Sequence, residues 1–371
     1  MPKNPLARLN ELGQSPWLDY ITRELISSGE LGRLIEEDGL KGMTTNPTIF
    51  QKAVAGSDQY DADIERLARA GKSPAEIFEA IAVTDVRAAC EAFGPTHEAT
   101  DGVDGMVSIE VAPALARDTR GTIEETHRLW SAVDRPNVMI KIPGTREGLL
   151  AIRSCIADGI NVNVTLLFSV DRYREVIDAF WSGLEARAAD GGAVNEIGSV
   201  ASFFVSRVDT KVDALLDERG AGDSLRGKIA IANACMAYAE FRRSIRTERW
   251  QALAGRGARP QRPLWASTST KDPSYPDVYY VESLIASETV DTLPPATLEA
   301  YRDHGRPEVR IDAGIATAPG HLMALAETGI ELGRVTDELE DEGVRKFADS
   351  YDALLAEIET KAGALKAAGR G

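Results

Sequence analysis

Eight short apolar runs, each followed by a stretch of helical periodicity, are the feature that most limits how this chain can fold. They lie around Trp17-Leu18-Asp19 and at 40–46, 105–111, 138–142, 160–168, 199–205, 263–268 and 289–293. None is joined to the next by the two-residue turn of a hairpin, so neighbouring strands are expected to run parallel, with a helix carrying the chain back between them. Eight such units predict an α/β chain folded as a (β/α)8 TIM barrel. A doubly wound sheet would carry a glycine-rich nucleotide turn, and neither GxGxxG nor GxxxxGK[ST] occurs. The length suits one domain over 1–371, with additional terminal helices from about 320 to 371 packing on the barrel.

Helix starts are marked by capping-box spacing at Ser27 with Glu30, Ser73-Pro74 with Glu76, and Thr122 with Glu125. The helix after Ser169 places Tyr173, Val176, Ile177, Phe180 and Leu184 on one face. The last helix does the same with Val344, Phe347, Tyr351, Leu354, Leu355 and Ile358. Beyond Gly343 that helix is expected either to cover the barrel mouth or to seal its outside. The acidic run from Glu338 to Glu342 reads as a solvated face.

Against this apolar background, Lys141 in NVMIKIPGT stands out. An ammonium ion is costly to bury without a partner. Asp19, Asn46, Glu110, Asn163, Thr165, Ser202 and Ser267 interrupt other strand runs in the same way. Singly they also suit helix caps, turns or backbone bonds. Together they point into the mouth of a barrel, where the loops after the strands build the active site. A lysine whose charge is disfavoured is a nucleophile toward carbonyls, and the expected product is a Schiff base. Glu110 and Asp19 suit the two proton transfers of aldol chemistry, and Asn46 and Asn163 suit hydroxyl recognition.

The balance of 42 Lys plus Arg against 58 Asp plus Glu, net −16, opposes nucleic acid and anionic membranes as partners. No apolar run approaches the length of a membrane-spanning helix, and the opening MPKNPLARLNELGQS lacks the apolar core of a signal peptide. A cytoplasmic protein is expected. Cys90, Cys155 and Cys235 read as reduced core residues, and His97, His127, His304 and His321 are too scattered for a metal site.

DGLKGMTTNPTIF at 38–50, VSIEVAP at 107–113, NVMIKIPGT at 137–145, GINVNVTLLFS at 159–169 and SVASFFVSRVDTKVD at 199–213 together resemble the transaldolases of the longer bacterial type. RPLWASTSTKDPSYPDVYYVESLIASETVDTLPPATLEAY at 262–301 and EDEGVRKFADSYDALL at 340–355 extend the likeness over most of the chain. The resemblance implies the barrel, no metal, no organic cofactor, and transfer of a dihydroxyacetone unit between ketose and aldose phosphates in the pentose phosphate pathway. Lys141 then matches the Schiff-base lysine, Glu110 and Thr165 the pair that positions the catalytic water, and Asp19 the acid/base at the C4 hydroxyl. Asn46 and Asn163 match the dihydroxyacetone-binding asparagines, Ser202 and Phe204 residues facing the sugar, and Arg207 the phosphate-binding arginine.

Shorter members carry Ser-x-Arg after the seventh strand; here Ser267 matches the serine, Ser269 falls where the second arginine stands, and Lys271 is the expected replacement cation. The partners implied are small sugar phosphates, and the assembly a monomer or homodimer. Two alternatives stay open: an aldolase that uses the same lysine and releases free dihydroxyacetone, and a sugar-phosphate-binding barrel without activity.

Overall fold

The structure is a computed structural model that describes residues 4–221 and 223–368. Eight strands occupy the eight apolar runs: β1 (Gln14–Asp19), β2 (Gly42–Thr44), β3 (Met106–Glu110), β4 (Val138–Pro143), β5 (Val162–Leu167), β6 (Ser199–Phe204), β7 (Arg262–Ala266) and β8 (Thr289–Leu293). They pair in chain order, all parallel, and β8 closes on β1. Helices fill every connection, giving a (β/α)8 barrel with extra helices.

Register decides which polar side chains share the interior, because residues paired across parallel strands lie on the same face. Glu110 pairs with Lys141 and Lys141 with Asn163. On the other side of the barrel Asp19 pairs with Thr44. Gly42 admits the Trp17 ring, since a Cβ there would lie 2.5 Å from Trp17 Cε2. The β5–β6 register shifts between Val164 and Leu167, and within that bulge Leu166 takes a left-handed backbone with φ 60°.

Two of the three expected helix starts move. Ser73 forms the reciprocal capping box with Glu76. Ser27 instead ends the helix Arg23–Ser27, and the helix Glu30–Glu36 starts from Gly29, whose φ of 84° only glycine adopts without strain. Thr122 sits inside the helix Thr119–Val133, which is capped one turn earlier by Asp118. Its hydroxyl donates to the Leu115 carbonyl, and Glu125 accepts from the Ala112 N–H. The spacing was right for a cap, but a stronger cap upstream won. Ser169 caps its helix as expected.

The C-terminal helix Leu332–Ala368 packs on the helices Pro47–Ala55, Asp61–Arg69 and Pro74–Ala99 and reaches the barrel mouth at Gly343. A Cβ on Gly343 would lie 2.9 Å from Leu166 Cδ2, so glycine allows this close crossing. The acidic run is not merely a solvated face. Lys211 Nζ bridges Glu338 at 2.8 Å and Glu342 at 2.7 Å, Arg172 meets Glu340 at 3.4 Å, and Arg117 pairs with Asp341. These pairs pin the helix to the barrel. Among the described residues no helix is long and apolar enough to cross a membrane.

Candidate active site

At the carboxyl ends of the strands the barrel opens into a cavity of about 450 Å³. Asp19, Asn46, Lys141, Thr165, Ser202 and Phe204 line it, as do Arg207, Ser267 and Lys271. Glu110 is set beside it, sharing a smaller recess with Lys141 and Thr165. Asn163 lies deeper and does not line the cavity. Its amide donates to Ser108 Oγ at 3.0 Å and accepts from Ser202 Oγ at 2.7 Å, so it ties β3, β5 and β6 together beneath the floor.

Lys141, only 5 % exposed, has its Nζ 2.5 Å from Glu110 Oε1 and donates to the Thr45 carbonyl at 3.1 Å. A carboxylate alongside answers the burial problem that the sequence raised. Burial pushes the Glu110 carboxyl up from its ordinary range, and nearby Asp19 adds to this while the Lys141 charge opposes it. Glu110 therefore holds a proton more readily than a surface glutamate. Glu110 Oε2 and Thr165 Oγ1 are both buried and have no hydrogen-bond partner among the described residues.

Asp19 ends β1 and accepts from Thr44 Oγ1 at 2.8 Å and Asn46 Nδ2 at 3.5 Å. Burial raises its carboxyl too, against the lowering influence of Lys141, those two hydrogen bonds and Arg207. Asn46 serves two purposes: its Oδ1 caps the helix Pro47–Ala55 at Ile49 N while its Nδ2 reaches Asp19. The helix cap thus holds the side chain over the pocket.

The outer rim is cationic. Arg207 lies 5.1 Å from the Phe204 ring centroid and 6.0 Å from that of Phe347, with no ion pair among the described residues. Lys271 donates to Ser269 Oγ at 2.7 Å, and burial, Arg207 and Lys52 all lower its affinity for its proton. Ser267 is held in a left-handed backbone, φ 58°, with its hydroxyl 2.9 Å from that of Ser206. Strained backbone of this kind is retained where it aims groups into a site.

The family described as transaldolase/fructose-6-phosphate aldolase matches residues 16–358, from β1 into the C-terminal helix. The chain belongs to the transaldolase/fructose-6-phosphate aldolase family. Among relatives, a transaldolase of Acidothermus cellulolyticus is 52 % identical over 360 residues, 96 % of each chain. One of Thermobifida fusca is 50 % identical over 358 residues, covering 96 % of this chain and 97 % of its own. Transaldolase 2 of a Nostoc strain is 47 % identical over 374 residues, covering 97 % and 98 %.

Within this family member, several cavity residues escape sequence reasoning. The Thr44 and Thr292 hydroxyls meet at 2.7 Å at the pocket wall, and Lys52 and Phe347 enter from helices. The Phe347 ring centroid lies 5.8 Å from Lys141 Nζ. Phe347 belongs to the apolar stripe of the last helix, and helical periodicity alone does not separate a face that packs on a core from one that closes a pocket. The three cysteines are buried and unpaired, their thiols pushed up to about 12 by burial. Among the described residues no cluster of His, Cys, Asp and Glu could hold a metal ion.

Proposed function

We propose that the chain is a transaldolase that moves a dihydroxyacetone unit from a ketose phosphate to an aldose phosphate through a Schiff base on Lys141, within the pentose phosphate pathway. The observation that carries this is the buried Lys141–Glu110 contact at 2.5 Å, opening on a cavity that also holds Asp19. An amine beside a carboxyl group that readily takes a proton is what carbinolamine formation and dehydration require.

In this reading Lys141 attacks C2 of fructose 6-phosphate or sedoheptulose 7-phosphate. Glu110 supplies and removes the protons that convert carbinolamine to imine, acting through a water; the unfilled hydrogen-bonding capacity of Glu110 Oε2 and Thr165 Oγ1 suits that water. Asp19 takes the C4 hydroxyl proton, the C3–C4 bond breaks, and its electrons enter the imine to leave an enamine on Lys141. The aldose phosphate departs, a second aldose phosphate accepts the enamine carbon, and hydrolysis of the new imine frees Lys141. Asn46 and Ser202 hold the dihydroxyacetone portion, Phe204 walls the sugar, Asn163 fixes Ser202, and Arg207, Ser267 and Lys271 hold the phosphate.

Phe347 above Lys141 shields the enamine from water, which supports transfer over release of free dihydroxyacetone. All these residues come from one chain, so a monomer or a homodimer serves equally. The reading takes 1–371 as one catalytic domain of a cytoplasmic protein.

Borohydride reduction in the presence of fructose 6-phosphate, followed by peptide mass spectrometry, tests the reading. A reduced three-carbon adduct is expected on the Lys141 peptide and absent from Lys141→Ala. An active wild type that forms no adduct would overturn the lysine mechanism, and a wild type lacking both adduct and activity would leave a binding protein. Product analysis with and without an acceptor aldose separates transfer from release.

A further inference from the structure

The helix Pro47–Ala55 follows β2 and carries Asn46 at its cap. Asn46, Ile49 and Lys52 are three residues apart and so share one helix face, and all three line the mouth cavity. Lys52 makes no ion pair and no side-chain hydrogen bond among the described residues. Some lysines of this acidic chain take carboxylate partners: Lys72 with Glu76, Lys211 with Glu338 and Glu342, Lys361 with Asp61. Lys41, Lys228 and Lys366 likewise have no ion pair among the described residues, so what marks Lys52 is its place: it faces the cavity that Asp19, Lys141, Arg207 and Lys271 also line.

Lys52, Lys271 and Arg207 repel one another, as the shared lowering of the Lys271 proton affinity reflects. The carboxylates acting on this rim are Asp19, within the cavity, and Glu342 of the C-terminal helix, which acts on Arg207 but is itself bridged to Lys211. A concentration of like charge is unfavourable on its own and becomes favourable when a dianion enters. Arg207 and Lys271 follow β6 and β7, whereas Lys52 follows β2 on the opposite side of the barrel. The three therefore approach a ligand from two walls.

We propose that Lys52 is a third phosphate-binding cation that, with Arg207 and Lys271, makes the site select a dianionic phosphomonoester on the donor. The proposal rests on the transaldolase reading and extends it to a residue outside the strands. Arg207 supplies a planar fork and the lysines two adjustable point charges, so the phosphate is clamped across the mouth while the ketose carbon rests at Lys141.

The test is steady-state kinetics with fructose 6-phosphate, together with competitive inhibition by inorganic phosphate, for wild type, Lys52→Ala and Lys52→Arg. Lys52→Ala is expected to raise KM and the phosphate inhibition constant together, about three- to tenfold for a partly exposed charge, with a much smaller change in kcat. Lys52→Arg should recover most of both. An unchanged KM and inhibition constant, a loss confined to kcat, or an arginine variant as poor as alanine would overturn the proposal. Borohydride trapping of the wild type keeps the two readings apart: an adduct with an indifferent Lys52→Ala removes only the role of Lys52, whereas no adduct in an active wild type removes the Schiff-base reading beneath it.

Discussion

The two poles of the barrel both enclose cavities, about 450 Å³ at the carboxyl mouth and about 470 Å³ at the base, and both draw polar side chains from the strands. They differ in what those side chains touch. At the base, Arg262 donates to Ser15 at 2.8 Å, Asp104 at 2.8 Å and the Val103 carbonyl at 2.7 Å. Asn161 spans strand ends by donating to Pro136 and Val138 carbonyls and accepting from Gly198 N–H. Most deep polar groups there close on one another, although Gln14 Oε1 and Gln261 Oε1 have no hydrogen-bond partner among the described residues. At the mouth, Glu110 Oε2 and Thr165 Oγ1 have no hydrogen-bond partner, two carboxyls are pushed up by burial, and the rim cations lack counter-ions among the described residues. Volume does not separate the two cavities in this barrel; the two raised carboxyls beside a buried lysine at the mouth do.

Exchanging single groups at each pole should break or sharpen that contrast. The largest effect is expected from Glu110→Gln, which keeps the shape of the recess and removes its proton carrier. kcat per folded molecule should fall about 10²- to 10⁴-fold, alongside a loss of stability because Lys141 is left buried without its carboxylate. A lower unfolding midpoint with kcat per folded molecule unchanged would place Glu110 with the base residues.

Arg262→Leu should spare the rate. It strands the buried Asp104 carboxylate and lowers unfolding free energy by about 3 kcal/mol, with kcat and KM per folded molecule unchanged. A shifted KM at full stability would show that the base communicates with the mouth.

The smallest effect is the most diagnostic. Asp19 titrates higher in the folded chain than in the unfolded one, so the folded state binds the extra proton, and this contribution to stability is present at low pH and lost as pH rises through the raised value. Asp19→Asn cannot lose it. The variant should be inactive yet gain about 1 kcal/mol over wild type at neutral pH, the gain shrinking as pH falls into the ordinary carboxylate range. Paired melting curves across pH check this, and a pH-independent difference would contradict it.

The strands were legible because burial on both faces of a parallel sheet leaves nearly continuous apolar runs, so Lys141, Glu110 and Asp19 appeared as interruptions. Their register then needed no further information than the pleat. Residues arriving from helices left no such trace: a lysine at position 52 disturbs no pattern, since a helix tolerates a charge on any exposed face. The capping boxes at Ser27 and Thr122 misled because local spacing does not reveal which of two nearby caps the tertiary structure selects. Asn163 looked like its neighbours in the strand, but its depth below the floor was a property of the closed barrel.

Phe347, set over Lys141 by a helix that Gly343 lets cross so closely, comes from sequence beyond all eight strands. During synthesis every strand leaves the ribosome before it does. On the proposed mechanism the nucleophile would therefore be assembled first and roofed last, and an early-folding barrel would meet its substrates with the amine still open to water. On that mechanism, retaining a carbon fragment depends on a helix made after the whole barrel.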